Sequence, residues 1–521
     1  MKTNIDKDFK FVIVGGGSAG WISALFVRAN YPDSKITVIQ SSEIGILGAG
    51  EGTTPHIVDF LDEIDVPISR IVKDAKATFK SGIKFSNWNG DRQHYYHPFP
   101  DNFDLDNTLI SELAHTNYPL MDLETIANSG SLDDINFNVA ACDQNCVRFV
   151  PNSKASNKSL DPILHFSRLG RTALHFDANL LASTLEDIGK SRNIEVIDGV
   201  VTDFTLSESG DIVSINIGDN KIACDFVFDC SGFKRLVIGG VYKTPWKSYK
   251  QHLPAKRAMP FFIQNPSQIV PPYTDSTAME WGWMWKIPVQ GRYGCGYVYD
   301  SDRISDEQAK KELDRELGYE VDVPRLINFE PGRYENIYEK NCLAIGLSSG
   351  FLEPLEATSI WTSLMMLNAW VENPSSITHN DQSARDKINR RHQDMNDNTL
   401  GFVYFHYITK RTDTEFWSNF TKDNKIPESL DKLIAESQYT IPSYDMFKNI
   451  GLDFAAKSFL ACGNGQKFFN SDHAKKLFDS LYQGRRKEEY DLLKYQYFQN
   501  INLNLPGLLD HYSFLEYLKG Y

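Results

Sequence analysis

The chain has 521 residues, 41% hydrophobic and 23% charged, enough to bury a large core and to build two globular modules. A formal charge of −14 and a pI near 5.4 exclude a surface made to grip nucleic-acid phosphates, which needs clustered Lys and Arg. Seven scattered cysteines without a Cys-x-x-Cys pair argue against a disulfide framework or a zinc site, and no apolar run nears the roughly 20 residues of a membrane span.

The first ten residues are charged and carry no apolar signal segment, so a cytoplasmic location is expected, with no membrane or nucleic-acid partner. Phe11 to Val14 reads as a buried parallel strand. It runs into Gly15-Gly16-Gly17-Ser18-Ala19-Gly20, and Trp21 opens a helix that ends near Asn30 to Asp33. Ile36 to Ile39 is the second strand. In this βαβ opening each glycine removes a Cβ that would block something: Gly15 allows the tight turn, Gly17 lets backbone approach a pyrophosphate, and Gly20 lets helix and strand pack closely. Ser18 and Ala19, between the glycines, count with them as candidate cofactor contacts, and the free N–H groups and dipole of the helix that follows favour phosphate. A Gly-x-Gly-x-x-Gly run alone is a weak signal; between a strand and a helix it predicts a dinucleotide site. The usual acidic residue at the end of the second strand is replaced by Gln40, whose amide can still hydrogen-bond a ribose diol, more weakly than a carboxylate; Glu43 is the alternative partner.

Farther along, the polar stretch from Asp143 to Pro162 reads as a long surface loop, and His175 to Ser191 as a helix. Val196 to Leu206 and Ile212 to Ile217 are strand patterns around a Ser-Glu-Ser-Gly-Asp turn. A buried strand ends at Asp229 and is followed by Cys230-Ser231-Gly232. Cys342 to Ile345 repeats the device before Gly346 and Leu347, so these strand ends are candidate cofactor contacts. A helix begins near Thr358. Beyond about residue 375 the chain turns amphipathic and aromatic-rich, with helices expected at Lys487 to Gln499 and His511 to Leu518.

Four further segments resemble the flavin-dependent tryptophan halogenase family, in the family's order. Gly48-Ala49-Gly50-Glu51-Gly52-Thr53-Thr54-Pro55 looks like its flavin strap. Ala77 to Phe85 looks like the segment bearing its catalytic lysine, which falls on Lys80. Trp283-Met284-Trp285-Lys286-Ile287-Pro288 matches its Trp-x-Trp-x-Ile-Pro signature. Gly350 to Ile360 resembles the segment with its catalytic glutamate, which falls on Glu356.

The resemblance implies an α/β fold: a Rossmann-like FAD-binding module of the flavin monooxygenase type over residues 1–375, with substrate-side insertions at about 90–165 and 250–330. A largely helical module over 376–521 would cap the substrate pocket. It implies Gly48, Ala49, Gly50 and Glu51 at the flavin, and FAD supplied as FADH2. It also implies a halide (chloride, bromide or iodide) oxidised to hypohalous acid. Lys80 would hold this oxidant as an ammonium donor or as a haloamine, while Glu356 would polarise it or stabilise the arenium cation and help remove its proton. Thr358 and Ser359 would present backbone N–H groups to the halide. His97, Phe99 and Pro354 would line the substrate side, and Trp283 and Trp285 would pack beside the flavin and keep substrate from it.

Ordinary readings compete with each assignment. A lone lysine is usually a snorkelling surface residue, a glutamate two residues before a helix a favourable terminal charge, and paired tryptophans on a strand plain core. The conjunction of motifs favours the catalytic reading. A flavin-dependent aromatic hydroxylase is the alternative, and a non-catalytic flavin-binding protein a third reading. The substrate end departs from the family: Ile441 to Phe447 shows no counterpart of the pattern that grips an amino acid's carboxylate and amine. An indole- or phenol-type arene is therefore expected in place of free tryptophan. One dinucleotide loop, with no second for a nicotinamide, implies a separate flavin reductase; a homo-oligomer is left open.

Overall fold

The computed structural model describes residues 5, 7–45, 48, 50–100, 118–152, 161–446 and 456–520. The chain divides into two units, each assembled from three stretches: Met1–Ala77, Phe176–Lys250 and Phe329–Asn396 form the first, and Thr78–His175, Gln251–Asn328 and Asp397–Tyr521 the second. Among the described residues no helix is long and apolar enough to cross a membrane. All seven cysteines are free thiols.

The first unit is built on a six-stranded sheet, ordered Glu195–Asp198, Lys35–Gln40, Lys10–Val14, Phe226–Asp229, Cys342–Ala344 and Tyr338–Glu339. The first five strands are mutually parallel and the last is antiparallel. Parallel strands buried on both faces need continuous apolar runs, which Phe11 to Val14 and Phe226 to Phe228 supply. Strand alternation sends Val12, Val14 and Val227 toward Ile212 and Ile215 of a small antiparallel sheet. Phe11, Phe226 and Phe228 face Trp370 of the helix Thr358–Val371, with ring centroids 5.0–5.9 Å from the indole. The helices Ser18–Asn30 and Ala178–Ser191 approach closely because Gly189 lies against Trp21; a Cβ there would stand 2.5 Å from the indole ring.

The second unit holds a seven-stranded sheet, ordered Ile327–Asn328, Arg257–Gln264, Arg292–Tyr299, Gly282–Val289, Thr274–Ala278, Gly82–Ser86 and His94–Pro98. Only Thr274–Ala278 and Gly82–Ser86 pair in parallel. A separate apolar core joins Leu120, Phe137, Ile441, Leu460, Phe478, Tyr490 and Tyr497, and gathers the amphipathic carboxy-terminal helices.

Several expectations are corrected. The inserted stretches run 78–175 and 251–328, in place of 90–165 and 250–330, because Thr78–Lys80 pairs with Ala173 to His175 inside the second unit. The third stretch starts at 397, not 376, and joins the inserted segments. Residues up to 396 stay with the first unit, where the Asn389 side chain accepts from the Ile337 and Tyr338 N–H groups and donates to the Tyr338 carbonyl. His175 and Phe176 are strand, and the helix begins at Ala178 because Asp177 caps it, accepting from the N–H groups of Asn179 and Leu180. Val196 to Leu206 breaks at Gly199 into strands of two different sheets. The segment read as a loop from Asp143 carries two short strands, Cys146–Val147 and Phe149–Pro151, paired with Leu509–Asp510 and Phe166–Arg168.

Candidate functional site

In the first unit the cofactor candidates converge at the carboxyl ends of the parallel strands, where open α/β sheets bind ligands. Gly15 adopts φ +119°, and a Cβ there would stand 2.2 Å from the Cys230 carbonyl oxygen. A Cβ on Gly20 would stand 1.8 Å from the Gly15 carbonyl oxygen, and one on Gly16 would strike the Gln40 side chain at 2.1 Å. Gly17 is different: no described atom lies within 4 Å of its missing Cβ, so the protein's own packing does not demand a glycine there. It precedes a 13-residue helix whose first N–H groups receive no side-chain cap. An open backbone cradle at an uncapped helix terminus fits the FAD pyrophosphate. Gly17→Ala is expected to leave thermal stability intact while weakening FAD binding by about tenfold, near 1.4 kcal/mol. Flavin titration and thermal denaturation check this; unchanged affinity would move the pyrophosphate elsewhere.

Other candidates organise that cradle. The Asp229 carboxylate is fully buried, one oxygen accepting from the Ser231 N–H and hydroxyl and the other from the Val237 and Ile238 N–H groups. These bonds fold the loop that carries Gly232. Ser348 donates to the Gly232 carbonyl, and Gly346 at φ +72° lets its segment approach Ala19, whose Cβ a side chain would meet at 2.7 Å. Leu347, between them, is half-buried. The Gln40 side chain accepts from the Trp21 indole and donates to Glu186, a partner that no sequence motif signals. In the strap, Gly48 sits against Ala178 and Asn179, and Gly50 takes φ +92°, while Ala49 lies outside the described residues. Burial pushes the Glu51 carboxyl up to about 7, helped by Asp177 and opposed by the Ser18 hydroxyl. Near neutrality Glu51 can therefore act as donor or acceptor.

Also in the first unit, Glu356 is buried at 3% exposure, after Pro354 and Leu355. The turn is closed by the Ala357 N–H on the Pro354 carbonyl at 3.1 Å. Ala357 sits at φ +54°, ψ 38°, a left-handed conformation that is unusual for alanine and was not anticipated from sequence. The helix of 14 residues starting at Thr358 has no side-chain cap, leaving the N–H groups at Thr358 and Ser359 uncapped.

Lys80 lies in the second unit, ends the strand Thr78–Lys80 and is fully buried. Its ammonium stands 5.3 Å from the centroid of the Phe99 ring, a cation–π distance. The backbone beside it is tightly held. Thr172 donates to the Lys80 carbonyl, the Phe99 N–H to Ser81, and the Asn138 amide to both the Ser81 and Phe99 carbonyls. Gly82 permits the close strand crossing, since a Cβ there would stand 2.6 Å from the His97 carbonyl oxygen. His97 is buried, its ring edge-on to Phe402 at 5.3 Å.

Trp283 and Trp285 share one face of Gly282–Val289 with ring centroids 6.2 Å apart. Trp285 lies over its cross-strand neighbour Gly296, where any Cβ would stand 2.1 Å from the indole. Ile441, at the substrate end of the sequence, is packed in the helical core, and Phe447 lies outside the described residues.

Against known proteins, residues 10–480 match the tryptophan halogenase family. The chain is 30% identical over 455 residues to tryptophan 6-halogenase SttH of Streptomyces toxytricini, covering 83% of this chain and 84% of that one. It is 30% identical over 538 residues to 7-chloro-L-tryptophan 6-halogenase KtzR of Kutzneria sp. (strain 744), covering 98% and 99%. The structure of Xcc4156, a flavin-dependent halogenase from Xanthomonas campestris, aligns with a TM-score of 0.83 at 26% identity, over 98% of each chain.

Proposed function

The chain belongs to the tryptophan halogenase family and is a flavin-dependent halogenase; from that premise we propose that Lys80 hands a hypohalous acid to an electron-rich indole or phenol. Bound FADH2 supplies the oxygen activation that oxidises the halide. The uncapped helix after Gly17 holds the pyrophosphate, with the loops after Asp229 and Ala344 beside it, and the N–H groups of Thr358 and Ser359 attract the halide. In the second unit His97 and Phe99 shape the substrate side, and Trp283 and Trp285 serve to disfavour direct oxygen transfer to the arene.

The observation that carries this reading is the buried ammonium of Lys80 above Phe99, in a backbone fixed on both sides. An unselective oxidant needs a donor that water does not reach, and a surface lysine could not serve. Glu356, also buried, supplies the carboxylate that polarises the oxidant or takes the proton from the halogenated ring. SttH and KtzR act, by their names, on tryptophan and 7-chlorotryptophan. Here Ile441 is engaged in core packing in the region where an amino-acid grip is expected, which favours an arene without those groups. Reduced flavin arrives from a separate reductase, since the chain carries one dinucleotide loop.

Mass spectrometry of an arene panel incubated with FADH2, oxygen and each halide tests this. Halogenated indoles or phenols are expected. Products gaining oxygen in place of halogen would overturn the reaction, and a preference for free tryptophan would overturn the substrate class.

A further inference from the structure

Two buried histidines from distant parts of the second unit grip the three-residue strand that ends in Lys80. The His175 Nδ1 lies 3.2 Å from the Thr78 hydroxyl oxygen, and its Nε2 lies 2.9 Å from the Thr274 hydroxyl oxygen. Thr78 donates its single hydroxyl proton to the Pro288 carbonyl at 2.6 Å. The Nδ1 of His175 must therefore carry the proton, leaving Nε2 to accept from Thr274. One residue along, the Phe79 N–H donates to His511 Nε2 at 3.0 Å, so this nitrogen is bare. The Nδ1 of His511 faces the Val270 carbonyl at 2.9 Å and carries the proton. Both rings are neutral, in the same tautomer, and fully buried.

The geometry points to His175 and His511 as positioning residues for Lys80: they fix Thr78 by its side chain and Phe79 by its backbone, so the ammonium that follows stays over Phe99. This rests on the reading of Lys80 given above. The two grips are complementary. Strand alternation puts Thr78 on the Lys80 side and turns Phe79 to the other, where its ring packs against Phe149, Phe514 and the His511 imidazole. The Pro288 carbonyl belongs to the Trp-x-Trp-x-Ile-Pro segment, so that segment is tied through Thr78 to the lysine strand. The first residue of the carboxy-terminal helix His511–Lys519 is tied to it as well.

Neutrality is part of the grip, because a protonated His511 would aim an N–H at the Phe79 N–H. Burial lowers the His511 pKa to about 4, against the Val270 carbonyl and Asp510, which favour the charged form. Burial, with Lys80 and His511, drives His175 well below its ordinary value.

The test uses the full-length enzyme with FADH2, oxygen, bromide and indole as the probe arene, reading bromoindole formed per FADH2 oxidised, together with FAD affinity. In His511→Phe that ratio is expected to fall roughly ten- to a hundredfold, as a misplacement of about 1 Å costs on the order of 10²-fold. FAD affinity should hold. His511→Gln, whose carbonyl can accept from the Phe79 N–H, should recover most of the ratio. A wild-type ratio in His511→Phe, or an equal loss in His511→Gln, would overturn the grip. If His511→Phe does not fold, Thr78→Val serves, removing both hydroxyl links at nearly constant shape. A parallel Lys80→Ala enzyme separates the claims. Full bromination there sinks the reading of Lys80; loss there with a normal ratio in His511→Phe sinks the grip alone.

Discussion

Replacing Lys80 by alanine is expected to lower arene halogenation by a factor on the order of 10²–10⁴, the usual contribution of a positioned proton donor, while FADH2 and oxygen are still consumed. The separation of the two readouts follows from where the residue sits. The glycine loop, the strap and the strand-end candidates for the flavin lie on segments of the first unit, whereas Lys80 ends a strand of the second. On the proposed reading, its loss removes the group that holds the oxidant and leaves the glycine loop of the first unit untouched. Alanine in a fully buried site also leaves a cavity, which costs about 2–5 kcal/mol for a side chain of comparable size and could lower yield by itself. Lys80→Met controls for this by keeping the volume and the contact with Phe99 while removing the nitrogen. Both variants should lose halogenated product. Product formation by Lys80→Met at the wild-type rate would show that the side chain is needed for packing and that its amine is not needed.

Glu356→Gln is expected to lower kcat by about 10- to 100-fold with little change in the KM for the arene, because in the proposed role the carboxylate acts on charge that develops only as the ring is attacked. Glutamine preserves shape in a buried site and removes the negative charge and the base. The flanking backbone supports a functional role. Ala357 is held in the left-handed region, which costs an L-residue roughly 1–2 kcal/mol and persists where the surroundings impose it. That conformation ends the turn begun at Pro354 and starts the next helix at Thr358, which sets the direction of Glu356. Single-turnover kinetics, with product quantified by mass spectrometry, separate chemistry from release. An unchanged chemical step would reassign Glu356 to the helix terminus, where a carboxylate is favourable in any protein.

The parts that were legible in the amino-acid order are those governed by short-range sterics and periodicity. The apolar run Phe11 to Val14, the glycines that follow and the helix after them are each specified within a few residues; the strand folds as read, and the helix read from Trp21 starts three residues earlier, at Ser18. The helices near Lys487 and His511 and the strand bearing Trp283 and Trp285 were found for the same reason. The division into units was only partly visible. Short strands such as Thr78–Lys80 carry too few residues for a pattern, and they choose their sheet by partners far along the chain. The helical start misplaced at His175 has a similar cause, since pairing with Thr78 overrides local propensity up to the Asp177 cap.

By itself, then, the sequence determined the dinucleotide loop, the motif residues Lys80 and Glu356, and the family to which they point. These are contiguous words, and residues a few positions apart cannot escape one another's sterics. The tertiary structure alone decided what surrounds them. It spent the Asp229 carboxylate on a loop, tied Gln40 to Glu186 and laid Trp285 on Gly296. It also brought His511 to a backbone N–H that stands 432 positions earlier in the chain. A lone histidine near the end of a chain has no neighbours that announce such a task. Its role comes from a hydrogen bond available only once both segments are buried together, where an unsatisfied N–H would cost about 1–3 kcal/mol.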